Sequence, residues 1–347
     1  MKREKNIQKL IIITAFVFFA VFPLSGCHTA KNETDTKELQ EDFSAPESDL
    51  IVVGFSQLGS ESDWRVANTK SFYEAFTEEN GYLFLYEDGA QKQENQVKAL
   101  RNFILQEVDY IVLDPIVETG WDAVLKEARD ANIPVILADR SVSVSDENLY
   151  TCWVGSDFTK EGRDAGEWLA GYLNKLGRDE ETITIVTLMG TPNSSAQIGR
   201  SEGFKQVLMN HKNWIMLERE SGEYTQAKGE EVMNSFLNKY SDIDVIICEN
   251  DNMAFGAINA LKAKGKKFGS GGGTILISFD AVNASFDAMI NGEINADFEC
   301  NPLLGPKVAE IIQKLEKGET VEKIQYVDET YFDTSMDLYK LREDRKY

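Results

Sequence analysis

Ile51-Val52-Val53-Gly54-Phe55 is followed directly by Ser56-Gln57-Leu58-Gly59-Ser60-Glu61-Ser62-Asp63-Trp64-Arg65. Five apolar or small residues, rich in β-branched side chains, have the length and composition of a buried strand. The polar stretch after them is dense in hydrogen-bonding groups and ends in an indole and a guanidinium. A helix then begins near Asp63. The same design recurs five more times along the chain, with an apolar strand ending in polar residues and a helix after it.

The predicted strands run Ile51–Phe55, Leu83–Tyr86, Tyr110–Leu113, Pro134–Ala138 and Tyr150–Val154, then Thr182–Leu188, Ile215–Glu218, Asp244–Cys248, Thr274–Phe279 and Ile294–Glu299. Between them lie segments of helical period, such as Val97/Leu100/Ile104, and the set Val66, Tyr73 and Phe76 falls on one face of the first helix. Strands alternating with helices predict βαβ units and parallel sheets. Two successive runs of similar size fit two α/β lobes, each a parallel sheet covered by helices. The last strand and the helix Leu304–Lys317 are too small for a third domain and must join one of the lobes. Several crossings between lobes would make a hinge, and a hinge between such lobes encloses a cleft.

Composition narrows the function. The 347 residues carry a net charge of −22, with 42% hydrophobic and 27% charged residues, as in a soluble globular protein. An excess of carboxylates is the wrong sign for a nucleic-acid surface. At the amino terminus, Lys2, Arg3, Lys5 and Lys9 precede an apolar run, Leu10 to Phe22, too short to span a bilayer. Leu24-Ser25-Gly26-Cys27 resembles the lipobox of bacterial lipoproteins. Residues 1–26 therefore read as a signal peptide, Cys27 as the lipidated residue, and 27–49, polar and acidic, as a disordered tether. Beyond it stand Cys152, Cys248 and Cys300, an odd number without CxxC or Cys/His spacing, so neither a metal nor a cofactor is expected. A Cys152–Cys300 bridge is conceivable, since both lie in segments assigned to crossovers; the sequence leaves it open.

Ligands of open parallel sheets sit beyond the carboxyl ends of the strands. Those ends read Ser56-Gln57, Asp114-Pro115, Asp139-Arg140, Met189-Gly190, Glu249-Asn250-Asp251 and Ser278-Phe279-Asp280. Planar groups able to make two hydrogen bonds each suit adjacent hydroxyls, while an aromatic face suits the less polar face of a sugar ring.

The segment Gly54–Arg65, then Asp88-Gly89-Ala90-Gln91-Lys92-Gln93-Glu94-Asn95-Gln96, Asp139-Arg140, Glu249-Asn250-Asp251-Asn252-Met253 and Ser278-Phe279-Asp280 resemble the sugar-binding type I periplasmic binding proteins of ABC importers, in the same order over about residues 50–331. The resemblance implies two lobes joined by a multi-strand hinge: residues 50–155 plus 302–330, and 156–301 plus 331–347. It implies sugar contacts at Trp64, Arg65, Asp139 and Arg140 from the first lobe and Arg200, Asn250 and Asp280 from the second, with Glu61 and Gln91 as weaker candidates. Ala281 departs from the glycine usual after that aspartate, and Cys300-Asn301 occupies the last crossover, where a polar contact is usual in the family. The implied function is a lipid-anchored, extracytoplasmic receptor, monomeric and without catalytic activity. It would capture a monosaccharide, galactofuranose-like or another hexose or pentose, for ABC permease subunits. A sugar sensor presenting ligand to a membrane kinase or chemoreceptor is the alternative. A glycosidase is a remote one, because Asp139 beside Arg140 is held ionised and the histidines, His28 and His211, lie in polar segments.

Overall fold

A computed structural model describes residues 50–347. The signal-peptide, lipidation and tether readings of residues 1–49 lie outside the described residues. Among those described, no helix is long and apolar enough to cross a membrane.

The chain begins with β1 (Ile51–Gln57), α1 (Asp63–Ala75), β2 (Tyr82–Asp88), α2 (Gln93–Leu105), β3 (Tyr110–Leu113), α3 (Asp122–Asp130), β4 (Val135–Ala138) and β5 (Cys152–Gly155). It then crosses into a second run: α4 (Phe158–Lys175), β6 (Ile183–Met189), α5 (Ser195–Leu208), β7 (Trp214–Ser221), α6 (Gln226–Lys239), β8 (Val245–Cys248), α7 (Asp251–Ala263), β9 (Ile275–Asp280), α8 (Asn283–Ile290) and β10 (Ala296–Glu299). Helix α9 (Gly305–Glu316) returns to pack on α1, and β11 (Ile324–Tyr326) adds to the first sheet. The chain ends in the second sheet and beside α8, with β12 (Tyr331–Asp333) and α10 (Leu338–Asp344).

Two six-stranded sheets result, ordered β11-β5-β4-β3-β1-β2 and β12-β10-β9-β8-β6-β7. Every pairing is parallel except β12 against β10, where the chain arrives straight from β11 of the other sheet and not through a helix. Each sheet is covered on both faces, which is why its central strands read as unbroken apolar runs. In the first, Val53, Phe55 and Val112 pack toward α1 and α9, while Ile111, Leu113 and Leu137 pack toward α2 and α3. In the second, Ile185 and Ile247 face α4 and α5, while Val186 and Ile246 face α6 and α7. The chain passes between the sheets three times, at 156–157, 300–304 and 327–330.

Two expectations are corrected. Val66 and Tyr73 are about half exposed; α1 instead buries Trp64, Arg65, Asn68, Ser71 and Phe72. Its inner face is polar because it is hydrogen-bonded: Gln57 Nε2 donates to Asn68 Oδ1 at 2.9 Å, Asn68 Nδ2 donates to the Pro302 carbonyl at 2.9 Å, and Gly305 N donates to Ser71 Oγ at 3.0 Å. The conceivable Cys152–Cys300 bridge is not formed. Both thiols are free and buried, Cys152 in the core of the first sheet and Cys300 in the second crossing, not the last, against Ser156 Oγ at 3.2 Å.

Candidate functional site

Strand ends and helix starts of both sheets meet in one cleft. At the end of β1, Ser62 caps α1 by accepting from Arg65 N at 3.1 Å, which places Trp64 and Arg65 in the first turn. Arg65 is buried and meets three carboxylates: its Nη1 donates to Asp114, its Nη2 to Asp139 Oδ2 at 2.9 Å, and its Nε to Glu61 Oε1 at 3.2 Å. Glu61 Oε2 in turn accepts from Gln91 Nε2 at 2.7 Å. Burial alone would lower the Arg65 pKa, but the three carboxylates outweigh it and hold the guanidinium charged. Asp114 is pushed well up, first by burial and then by Asp139, with Arg65 opposing.

Trp64 crosses the cleft. Its Nε1 donates to the Cys300 carbonyl at 2.6 Å, and its ring joins the apolar cluster of the second lobe while lying 4.5 Å from Arg65 Cζ. Arg140 donates through Nη1 to the Ile116 carbonyl at 3.1 Å and lies over the ring of Tyr224 from the other lobe.

The second lobe builds a matching centre on α5. Arg200 is buried between the rings of Phe158 and Phe279, with Cζ 5.4 and 5.0 Å from their centroids. Its Nε donates to Glu161 Oε2 at 2.6 Å, its Nη1 to the Glu249 carbonyl, and its Nη2 to Asp280 Oδ1 at 3.4 Å. Asp280 is pushed well up by burial, with Arg200 opposing. Asn250 caps α7, its Oδ1 accepting from Met253 N at 2.9 Å and its Nδ2 donating to the Tyr224 carbonyl at 3.1 Å. Both strand-end aspartates bend the chain: Asp139 has φ 59° and Asp280 φ 104°, a region non-glycine residues adopt only when the surroundings hold them there.

Glu61, Trp64, Arg65, Asp139, Arg140, Arg200, Asn250 and Asp280 line a single small, polar space. Its polar lining, with aromatic rings among it, suits a small ligand rich in hydroxyls. Gln91 stands outside it, holding Glu61. Phe158, Ala196 and Tyr224 also line the space but were not singled out from sequence; Cys300, marked there as standing where a polar contact is usual, lines it too. Tyr224 sits in a turn at φ 60° and carries no local signal. Asp114, by contrast, was readable as a strand end. Cross-lobe bonds shut the rim: Asp63 N donates to Asn252 Oδ1 at 3.0 Å, Ser141 N to Ser195 Oγ at 2.9 Å, and Glu118 N to the Asn193 carbonyl at 3.0 Å. Among the described residues His211 stacks on Trp214, away from this space.

Two parallel-sheet lobes, three crossings and a polar cavity at facing strand ends define a type I periplasmic binding protein. The chain belongs to that family: residues 53–320 match the periplasmic binding protein domain. It is 40% identical over 286 residues to the galactofuranose-binding protein YtfQ of Escherichia coli strain K12, covering 81% of this chain and 87% of that one. The arabinose-transporter binding protein of Shewanella sp. ANA-3, solved with α- and β-L-arabinofuranose, is 38% identical with a TM-score of 0.79, covering 85% of this chain and 95% of the other. A Mycobacterium smegmatis protein solved with β-D-fucofuranose is 38% identical with a TM-score of 0.78, covering 82% and 92%.

Proposed function

We propose that this protein is the substrate-binding subunit of an ABC importer for a monosaccharide, captured in its furanose form, and that it is anchored outside the cytoplasm through lipidated Cys27. The observation that carries the reading is the pairing of two arginine-centred clusters, Arg65 with Asp139 and Arg200 with Asp280, across one cavity floored by Trp64. Fixed charges of known direction are what a ring of hydroxyls needs. Carboxylates accept from the hydroxyls and guanidinium groups donate to them, each such bond contributing roughly 1.5–3 kcal/mol. Arg140 Nε is buried without a hydrogen bond, a donor that a sugar hydroxyl would satisfy. Glu61, Trp64, Arg65, Asp139, Arg140, Arg200, Asn250 and Asp280 are assigned to the ligand. Gln91 is reassigned to positioning Glu61, and Asn250 acts partly through its cap on α7.

Residues 50–155 with 302–330 form one lobe of the receptor, and 156–301 with 331–347 the other. Binding favours the closed form because contacts from both lobes exist only there. Furanose recognition is supported by the relatives' ligands, and binding without chemistry by the pairing of the carboxylates that line the cavity: Glu61, Asp139 and Asp280 are each bonded to an arginine. The test is calorimetric titration of the purified protein with a methyl galactofuranoside, arabinose, fucose, galactose and ribose. Heat of binding with a sugar that populates or is locked in the five-membered ring is expected. No heat with any pentose or hexose, or hydrolysis of an aryl glycoside that disappears in Asp139→Asn, would overturn it.

A further inference from the structure

Behind the cavity, the three crossings between the lobes each bring one ligand-type side chain to the same point. Glu161 lies in the first turn of α4, just after the first crossing; Cys300 opens the second; Glu329 lies in the third. One donor atom from each, two carboxylate oxygens and a thiol sulfur, falls within 4.8 Å of the others. Glu161 is only 6% exposed, and while its Oε2 accepts from Arg200, its Oε1 is buried with no hydrogen-bond partner. A buried carboxylate oxygen left without a donor is costly enough to need an explanation. Glu329 is oriented by donors from two crossings, Ser156 Oγ at 2.6 Å and Asn301 N at 2.6 Å, and the same Ser156 hydroxyl touches Cys300 Sγ at 3.2 Å.

We propose that Glu161, Cys300 and Glu329 form a divalent-cation site of the zinc type that fastens the three hinge crossings together. A thiolate with two carboxylates is the donor set of a borderline-soft ion; calcium and magnesium take six or more oxygens or keep their water. Tetrahedral zinc places such donors about 3.5 Å apart, from metal–sulfur and metal–oxygen distances of about 2.3 and 2.1 Å, a spacing that small side-chain adjustments within the cluster can meet. Ser156 supplies the outer hydrogen bonds that hold ligands in line. Residue spacing along the chain gave no hint of this, because each ligand comes from a different crossing.

The full chain carrying Cys27→Ser, purified in detergent, is titrated with Co2+ and then Zn2+. One equivalent of Co2+ is expected to give thiolate-to-cobalt charge-transfer absorption with a tetrahedral d–d band, displaced by Zn2+, absent in Cys300→Ser and retained in Cys248→Ala. Zn2+ affinity, read by competition with a chromogenic chelator, is expected to fall at least about tenfold in the near-isosteric Glu329→Gln. Because that variant keeps the acceptor for Ser156 and Asn301, it tests the site even if Cys300→Ser fails to fold. No charge-transfer band, a band that survives Cys300→Ser, or an affinity unmoved by Glu329→Gln overturns the proposal.

Discussion

The Arg65 guanidinium is desolvated and faces three carboxylates, so its worth lies in position more than in net stability. A buried ion pair gains little over an apolar pair, but removing one member strands the others at about 3–5 kcal/mol. Glu249 shows the same physics with a titration inside the working range. It is buried at the end of β8, its Oε1 accepting from Ser201 Oγ at 2.6 Å and its Oε2 from Gly190 N at 2.8 Å, yet burial pushes it up to about 7 against those bonds. A carboxyl raised above its unfolded value near 4.5 binds its proton more tightly in the folded state. Its contribution is therefore fully present below pH 4.5 and is lost as the pH rises to 7, on the order of 3 kcal/mol in all. Glu249→Gln keeps an acceptor for Gly190 and a group for Ser201 without the charge. Chemical denaturation at pH 4.5 and 8 checks this: the variant should gain on the parent protein by about 2–3 kcal/mol between the two pH values, and a constant difference would show that Glu249 does not titrate there.

Among the elements, α4 and α5 carry the second centre, and their spacing is set by glycine. Gly162 and Gly203 let the helices approach until a methyl on either would overlap a carbonyl, that of Arg200 for Gly162 and that of Thr159 for Gly203. Gly162→Ala must push α5 outward and Arg200 with it. Overpacking of this kind costs about 1–3 kcal/mol. A lower thermal midpoint together with weaker sugar binding is expected; a lower midpoint with unchanged affinity would mean the helix yields elsewhere. The strands of both sheets were legible because burial on both faces leaves long apolar runs, and their polar ends marked Asp139 and Asp280 directly. The inner face of α1 was misread because its buried side chains are polar, satisfied by Pro302 and Gly305 far along the chain, and periodicity registers only apolar burial. Strands β11 and β12 are three residues each, with exposed positions, too short for any pattern. Tyr224 and Phe158 reach the cavity from loop and helix start, placed by the tertiary fold alone.

In the whole molecule, closure is a difference between two states, and contacts present only in the closed one set how long a ligand stays. Trp64 reaches the Cys300 carbonyl near the hinge, and the exposed bond from the neighbouring Asp63 N to Asn252 Oδ1 joins the same two lobes. Asn252 does not line the cavity, so its loss touches the equilibrium between open and closed forms and leaves the sugar contacts in place. A hydrogen bond of this kind is worth about 0.5–1.5 kcal/mol, and because the open form makes no use of it the whole amount falls on the closed state. Asn252→Ala is therefore expected to speed sugar release by about 2–10-fold, with the association rate nearly unchanged, since the sugar enters the open form. Stopped-flow measurement of the tryptophan fluorescence, with Trp64 in the cleft as the reporter, in a protein whose other tryptophans are replaced by Phe, resolves the two rates. Equal slowing of association and speeding of release would place the rim bond in the encounter step, and no change in release would mean that the hinge and the sugar alone hold the lobes shut.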